Sequence, residues 1–259
     1  GLLVVFVGVA GIFLGFANRK YLGWERFTVI SSGGSVIYVQ TVDDSSGLTL
    51  KLPEDLLIET AAGRGEWRVG ALSVLGKKYG KKWVADSVAL ALGIGYTAHV
   101  EELGLVDRFV WWQKTRNTVF SELDLAESSY VTEIIQSDGI KVKKLNESWS
   151  KKVSGLFSSF YLASSDIEAE VINTTDGSGL ASRMAGSLTA SGIRVIRVGE
   201  QEKVIANRCV VSGGEDELKS KVGQYIKKYF DCDESSSGED DKKIIVLIGE
   251  KYRLWAVGD

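Results

Sequence analysis

Proline is almost missing from this chain, with Pro53 its only example, and histidine and methionine also occur once each. His99, in YTAHV, has no Cys or His neighbour, so a typical zinc site is excluded and a structural role is expected. Cysteine is scarce too. Cys209 and Cys232 are too few and too far apart for a metal knuckle or a disulfide scaffold, and they read as free thiols. Cys209, in the apolar run RCVVS, reads as a small buried hydrophobe, with a Cys209–Cys232 disulfide as the alternative. A basic excess is lacking as well: net charge is −3, with 16 acids and 13 bases from Ile167 onward and 18 of each before it. That excludes the electrostatic footprint of a nucleic-acid binder.

What is present describes a globular chain with many tight turns, for 29 glycines accompany 44% hydrophobic residues and no internal repeat. The length of 259 residues suits two modest domains. One long apolar run stands apart. GLLVVFVGVAGIFLGFAN carries no charge from Gly1 to Asn18 and is closed by Arg19 and Lys20. Because a span needs about 20 apolar residues and the chain opens on Gly, Gly1–Ala17 is read as the distal part of a transmembrane anchor. A cleaved signal peptide and a buried core helix are the alternatives. Arg19 and Lys20 alone would place the following domain in the cytoplasm, and a further flank could outweigh them. Tyr21 and Trp24 suit a membrane interface.

Beyond this, RFTVIS, SVIYVQT and LTLKL read as strands joined by turns at Gly33-Gly34 and DDSSG. Asp43 and Asp44 fall in the second turn and read as solvated turn residues rather than an acid pair. VGALSVLGKKYG, KKWVADSVALALG and LVDRFVWWQKTRN show helical spacing, with Gly93 closing the second. Trp111 and Trp112 point in different directions on the last helix, so one is expected inside and the other partly exposed. A hairpin is expected around Ser137-Asp138-Gly139. A helix follows near Asn146 with Trp149, Val153, Leu156 and Phe160 on one face, and then a small polar linker, Ala163–Asp166.

The C-terminal part is organised by VINTTDGSGLASRMAGSLTASGIRVIRV, residues 171–198. It reads as a strand, a turn, a helix with Leu180, Met184 and Leu188 inward, and a second strand after Gly192, with Ser178 as the expected cap. With KVIANRCVVS, EDELKSKVGQYIKKYF and KKIIVLIGE the order is βαββαβ, a two-layer sandwich of ferredoxin type. The acidic stretch DCDESSSGEDD, with six carboxylates in eleven residues, is expected to be a solvated excursion before the last strand. The turn at DGSGLAS opens a helix, so Asn173, Gly177 and Gly179 are the candidate ligand-binding residues here.

Asn173, Gly179-Leu180-Ala181 and Gly192 carry a resemblance to the C-terminal domain that accompanies the LytR-CpsA-Psr family of bacterial cell-envelope proteins, over residues 167–252. The main domain of that family has a Ser-Ile-Pro-Arg-Asp signature after a strand. Lys51, Leu52, Pro53, Glu54 and Asp55 stand in those places here, so residues 25–163 resemble a degenerate form of it. The resemblance implies an α/β fold of three parts: an anchor and juxtamembrane segment at 1–24, a main domain at 25–163 and a C-terminal domain at 167–259. It also implies chemistry, the transfer of a glycopolymer from a polyprenyl pyrophosphate carrier to peptidoglycan. Glu54 in the arginine's place repels that substrate, and the upstream Arg and Asp positions hold Ser31, Ser32, Gly33, Gly34 and Ser35. Asp55, Arg64 and Arg68 are the remaining catalytic candidates. Arg64 and Arg68 lie in GRGEWRVG, which lacks the Lys-Ser or Lys-Thr of a phosphate loop.

The expected function is therefore that of a membrane-anchored, extracytoplasmic envelope protein that binds or organises cell-wall glycopolymer or envelope partners without catalysis. No metal or cofactor is expected in that role. The alternatives are a phosphotransferase, which alone would need magnesium, and a membrane-bound regulator.

Overall fold

A computed structural model describes residues 19–236 and 242–258. The expected anchor at Gly1–Ala17 lies outside them, and no helix among the described residues is long and apolar enough to cross a membrane.

The first half is built on a five-stranded sheet in the order β6-β1-β2-β3-β7. Strands β1 (Phe27–Gly33), β2 (Val36–Val42) and β3 (Gly47–Leu52) form the antiparallel meander that their alternation predicts. Two short strands extend it with parallel pairing, β6 (Ala98–His99) on β1 and β7 (Phe120–Asp124) on β3. The sheet is covered on both faces. Helices α1 (Val69–Tyr79), α2 (Lys81–Leu92) and α4 (Glu147–Phe157) close one face over Ile30, Ile37, Val39 and Leu50. Tyr21, Val29, Val42 and Ala98, with α3 (Leu105–Thr115), close the other. Gly76 lets α1 and α2 approach, for a Cβ there would lie 2.6 Å from Val84.

Two ribbons complete this half, β4 (Leu57–Glu59) with β5 (Glu66–Arg68) and β8 (Val131–Ile135) with β9 (Lys141–Leu145). The inward face of α4 is Trp149, Val153 and Phe157, with Asn146 capping its first turn. Phe160 is exposed instead, because the helix ends at Phe157 and a new short one, α5 (Phe160–Ala163), begins. Tyr21 is also not at a surface. It is buried and stacked on Phe27 at 4.4 Å, so a residue expected to be juxtamembrane belongs to the folded body.

The second half differs from the expected βαββαβ sandwich. Strand β10 (Glu168–Asn173), helix α6 (Leu180–Ser191) and strand β11 (Arg194–Glu200) make a parallel βαβ unit. Then β12 (Cys209–Gly213), helices α7 (Glu215–Lys219) and α8 (Lys221–Phe230) and strand β13 (Asp233–Ser236) make a second one, before β14 (Lys243–Ile248) and α9 (Glu250–Val257). The order β11-β10-β14-β12-β13 gives a five-stranded mixed sheet. A ferredoxin-type sheet is excluded because β10 pairs in parallel with both neighbours. The extra strand comes from the acidic stretch. All four residues of β13 are exposed, and an edge strand tolerates that charge where a central strand would not.

Cys209 and Cys232 form a disulfide, which corrects the reading as free thiols. The second βαβ unit carries Cys232 back past the start of β12, leaving the two Cα atoms 4.6 Å apart. Their separation of 23 residues along the chain gives no hint of that approach.

The halves meet over a packed boundary. Ala190 of α6 belongs to the first core, while Trp24 and Leu90 pack against the second. The 3-10 turn Ala61–Gly63 sits on the end of α9. Gly63 has φ +59°, and a Cβ on it would lie 2.1 Å from the Val257 carbonyl oxygen. The first glycine of GRGEWRVG thus serves a turn that receives the C-terminal helix, while a Cβ on Gly70 would lie 3.3 Å from Glu54.

Candidate functional site

The residues at the family-like signature do not converge. Pro53, Glu54 and Asp55 form the turn between β3 and β4, and each acid has its own partner. Glu54 accepts a hydrogen bond from the Ser35 hydroxyl, and Asp55 lies 3.5 Å from the Lys143 ammonium. Arg64 stands at the far end of the β4–β5 ribbon, with its guanidinium 4.1 Å from the centre of the Tyr79 ring. Arg68, whose register partner is Leu57, is exposed at the Asp55 end. The acids do not suit a magnesium ion either, for Glu54 is turned to Ser35 and a lysine already faces Asp55. Among the described residues the space behind this turn is not an apolar tunnel of the kind a polyprenyl carrier requires. Leu50, Leu52, Leu56, Val69 and Leu72 fill the space as fully buried core.

The candidates of the C-terminal turn are spent on the turn itself. Asn173 is buried, its Nδ2 donates to the Gly177 carbonyl at 2.8 Å, and its Oδ1 accepts from the Thr175 N–H at 3.1 Å. Gly177 is closely packed, since a Cβ there would lie 2.8 Å from the end of the Leu180 side chain. Gly179, at φ +75°, is the N-cap of α6 in the place expected for Ser178, and no side chain caps that end. A shallow groove of about 140 Å3 passes Asn173 and Gly179, but Glu200 lines it and opposes an anion at the helix end.

Three further expectations concern single side chains. Asp43 closes its turn by accepting from the N–H groups of Ser45 and Ser46, and the Arg26 guanidinium lies 2.8 Å away. Burial alone would raise its pKa, but these bonds and the guanidinium outweigh it and hold the carboxyl at about 2. His99 is fully buried, with Nδ1 accepting from the Glu101 N–H and Nε2 3.4 Å from the Ser32 hydroxyl. Trp111 packs edge-on to Phe27 at 5.1 Å, whereas Trp112 is exposed. Among the described residues no group of three or more His, Cys, Asp or Glu is placed to hold a metal ion.

An opening that combines charge with aromatic surface lies between the two halves, a cavity of about 360 Å3. From the first half, α2 contributes Lys82 and Asp86, the strand approach to β6 contributes Tyr96 and Thr97, and the first described turn contributes Lys20. Asp86 is held by Lys82 at 2.8 Å and by the Tyr96 hydroxyl at 2.7 Å. Burial, with the Asp86 charge behind it, raises the Tyr96 pKa, so this phenol stays a donor.

From the second half come Arg208, just before β12, with Lys228 at the end of α8 and Tyr252 and Trp255 on α9. The Arg208 guanidinium lies 4.3 Å from the Trp255 ring centre. Its Nε and the Trp255 Nε1 are buried without a hydrogen-bond partner among the described residues. Buried donors of this kind leave free energy to be gained from an acceptor. Lys228 donates to the Arg19 carbonyl at 2.7 Å, and burial lowers its pKa.

Glu102 and Asp231 line the same opening, so its charge is mixed; its donors and aromatic faces suit a hydroxyl-rich ligand such as a sugar, with Lys20, Arg208 and Lys228 as the cations nearest to any anionic group it carries. Sequence reading missed this set because its members run from Lys20 to Trp255 and share no motif. The one local signal is the tryptophan-bearing run that becomes α9.

No protein of curated function matches the chain. The family described as LytR cell envelope-related transcriptional attenuator matches residues 166–252, so the second half of the molecule, from the approach to β10 into α9, is similar to that family.

Proposed function

We propose that this chain is a membrane-anchored protein of the bacterial cell envelope that binds an anionic wall glycopolymer between its two halves without transferring it. The observation that carries the reading is the contrast between two places. The signature turn pairs Glu54 with Ser35 and Asp55 with Lys143 over a filled core. The cavity between the halves is lined by Arg208 and Trp255 together with Lys20 and Lys228, and the buried Arg208 Nε and Trp255 Nε1 have no hydrogen-bond partner among the described residues.

The family match supports an envelope role, and the anchor reading rests on the uncharged run Gly1–Asn18. The Cys209–Cys232 disulfide supports placing the folded part outside the cytoplasm, where such bonds persist. The regulator alternative draws on the attenuator wording of the family description and on Arg19 and Lys20.

Two carboxylates at the signature turn repel a doubly negative pyrophosphate, and the filled core behind them leaves no room for a polyprenyl chain. The full chain in detergent should therefore leave a polyprenyl-pyrophosphoryl sugar unchanged in the presence of magnesium or manganese. Turnover that disappears in Asp55→Ala would replace this reading with the phosphotransferase.

A further inference from the structure

Helix α3 turns an apolar face outward. Leu105 is 84% exposed, Phe109 61% and Trp112 52%, spaced four and then three residues apart so that they form one stripe. Arg108 and Arg116 are exposed beside the stripe, and the Arg116 guanidinium lies 4.8 Å from the Trp112 ring centre. The single acid of the helix, Asp107, is on the opposite side and buried. The inner face is fully engaged. Trp111 packs on Phe27, Lys114 pairs with Asp44, and Asp107 accepts from the N–H groups of Lys20 at 2.6 Å and Tyr21 at 3.2 Å.

That last contact fixes where the helix lies in relation to the chain's apolar run. The uncharged stretch ends at Asn18, and two residues later the backbone is bonded to the first turn of α3. No linker separates them, so a bilayer holding residues 1–17 would meet α3 at the same level.

We propose that α3 lies in the headgroup layer of an anionic bilayer, with Leu105, Phe109 and Trp112 inserted at the acyl boundary and Arg108 and Arg116 on the lipid phosphates. Apolar and aromatic residues flanked by arginines and free of acid have the composition of an interfacial helix. A second copy fits this face less well, since a two-fold contact would set arginines against arginines. The proposal rests on the anchor reading. Its consequence is orientation: the opening lined by Lys20 and Lys228 is held close to the lipid surface.

The test uses the full chain reconstituted in phosphatidylglycerol-containing vesicles, with a nitroxide at Phe109→Cys, Trp112→Cys or, as a control, Ile135→Cys. Ile135 is 68% exposed on the distant β8–β9 hairpin. The expected result is flotation with the vesicles and loss of collisions with a water-soluble nickel chelate at 109 and 112 but not at 135. Flotation with all three labels open to the chelate overturns the placement of α3 and leaves the anchor standing. Failure to float overturns both. Shielding shared by 135 reports aggregation, and spin–spin broadening at 109 in lipid-free detergent reports a second copy on this face; either result counts against the proposal.

Discussion

At the scale of single residues, buried titratable groups give the clearest expectations. Burial lowers the His99 pKa from its ordinary 6.5, and its ring accepts a backbone N–H, so the folded protein holds it neutral. Below pH 6.5 the unfolded chain takes up a proton there that the folded one does not, and stability contributed by this site falls as pH falls. Glu25 has the opposite sign. Burial raises its carboxyl above the ordinary value despite bonds from the Leu22 N–H and the Tyr229 hydroxyl, so its contribution falls as pH rises. The two are separated by comparing the full chain with His99→Asn. The native protein should lose more melting temperature than the variant on acidification from about pH 7.5 to about pH 5.5. Equal losses would show that His99 protonates as readily in the folded state.

At the scale of elements, hydrophobic periodicity found most of the first half. The meander, α1 to α3, the β8–β9 hairpin and the Asn146 cap all follow from local pattern and turn chemistry. The misses have physical causes. Phe160 continues the helical spacing of α4 but lies beyond its end, and β13 was hidden by its charge. The parallel pairing of β10 with β14 and the Cys209–Cys232 approach depend on which strands become neighbours, which local pattern does not encode. The disulfide closes a loop with a sequence separation of 23 residues and joins the end of α8 to β12. Replacing both cysteines with serine should lower stability by about 2–4 kcal/mol by the loop-entropy account. Equilibrium denaturation under non-reducing conditions checks this, and a midpoint unchanged from the native chain would count against a formed bond.

At the scale of the molecule, each half has its own core, yet the boundary is not idle. Tyr229 of α8 donates to Glu25 at 2.7 Å, Arg183 of α6 pairs with Glu59 at 2.6 Å, and the Gly63 turn receives α9. Residues 167–259 expressed alone should therefore melt cooperatively but at a lower temperature than the full chain, and a fragment without a cooperative transition would place the boundary elsewhere. The candidate site belongs to this scale as well. The signature turn was legible as a departure from a motif, whereas the cavity exists only once Lys20, Lys82, Arg208 and Trp255 are brought together by folding. The most direct measurement is titration of the full chain and of Arg208→Ala with a purified sugar-phosphate wall polymer. Saturable binding by the native chain, weakened about tenfold or more by the loss of one charge-assisted contact, is the predicted result. Equal binding by the two proteins, or none by the native chain, would contradict the account.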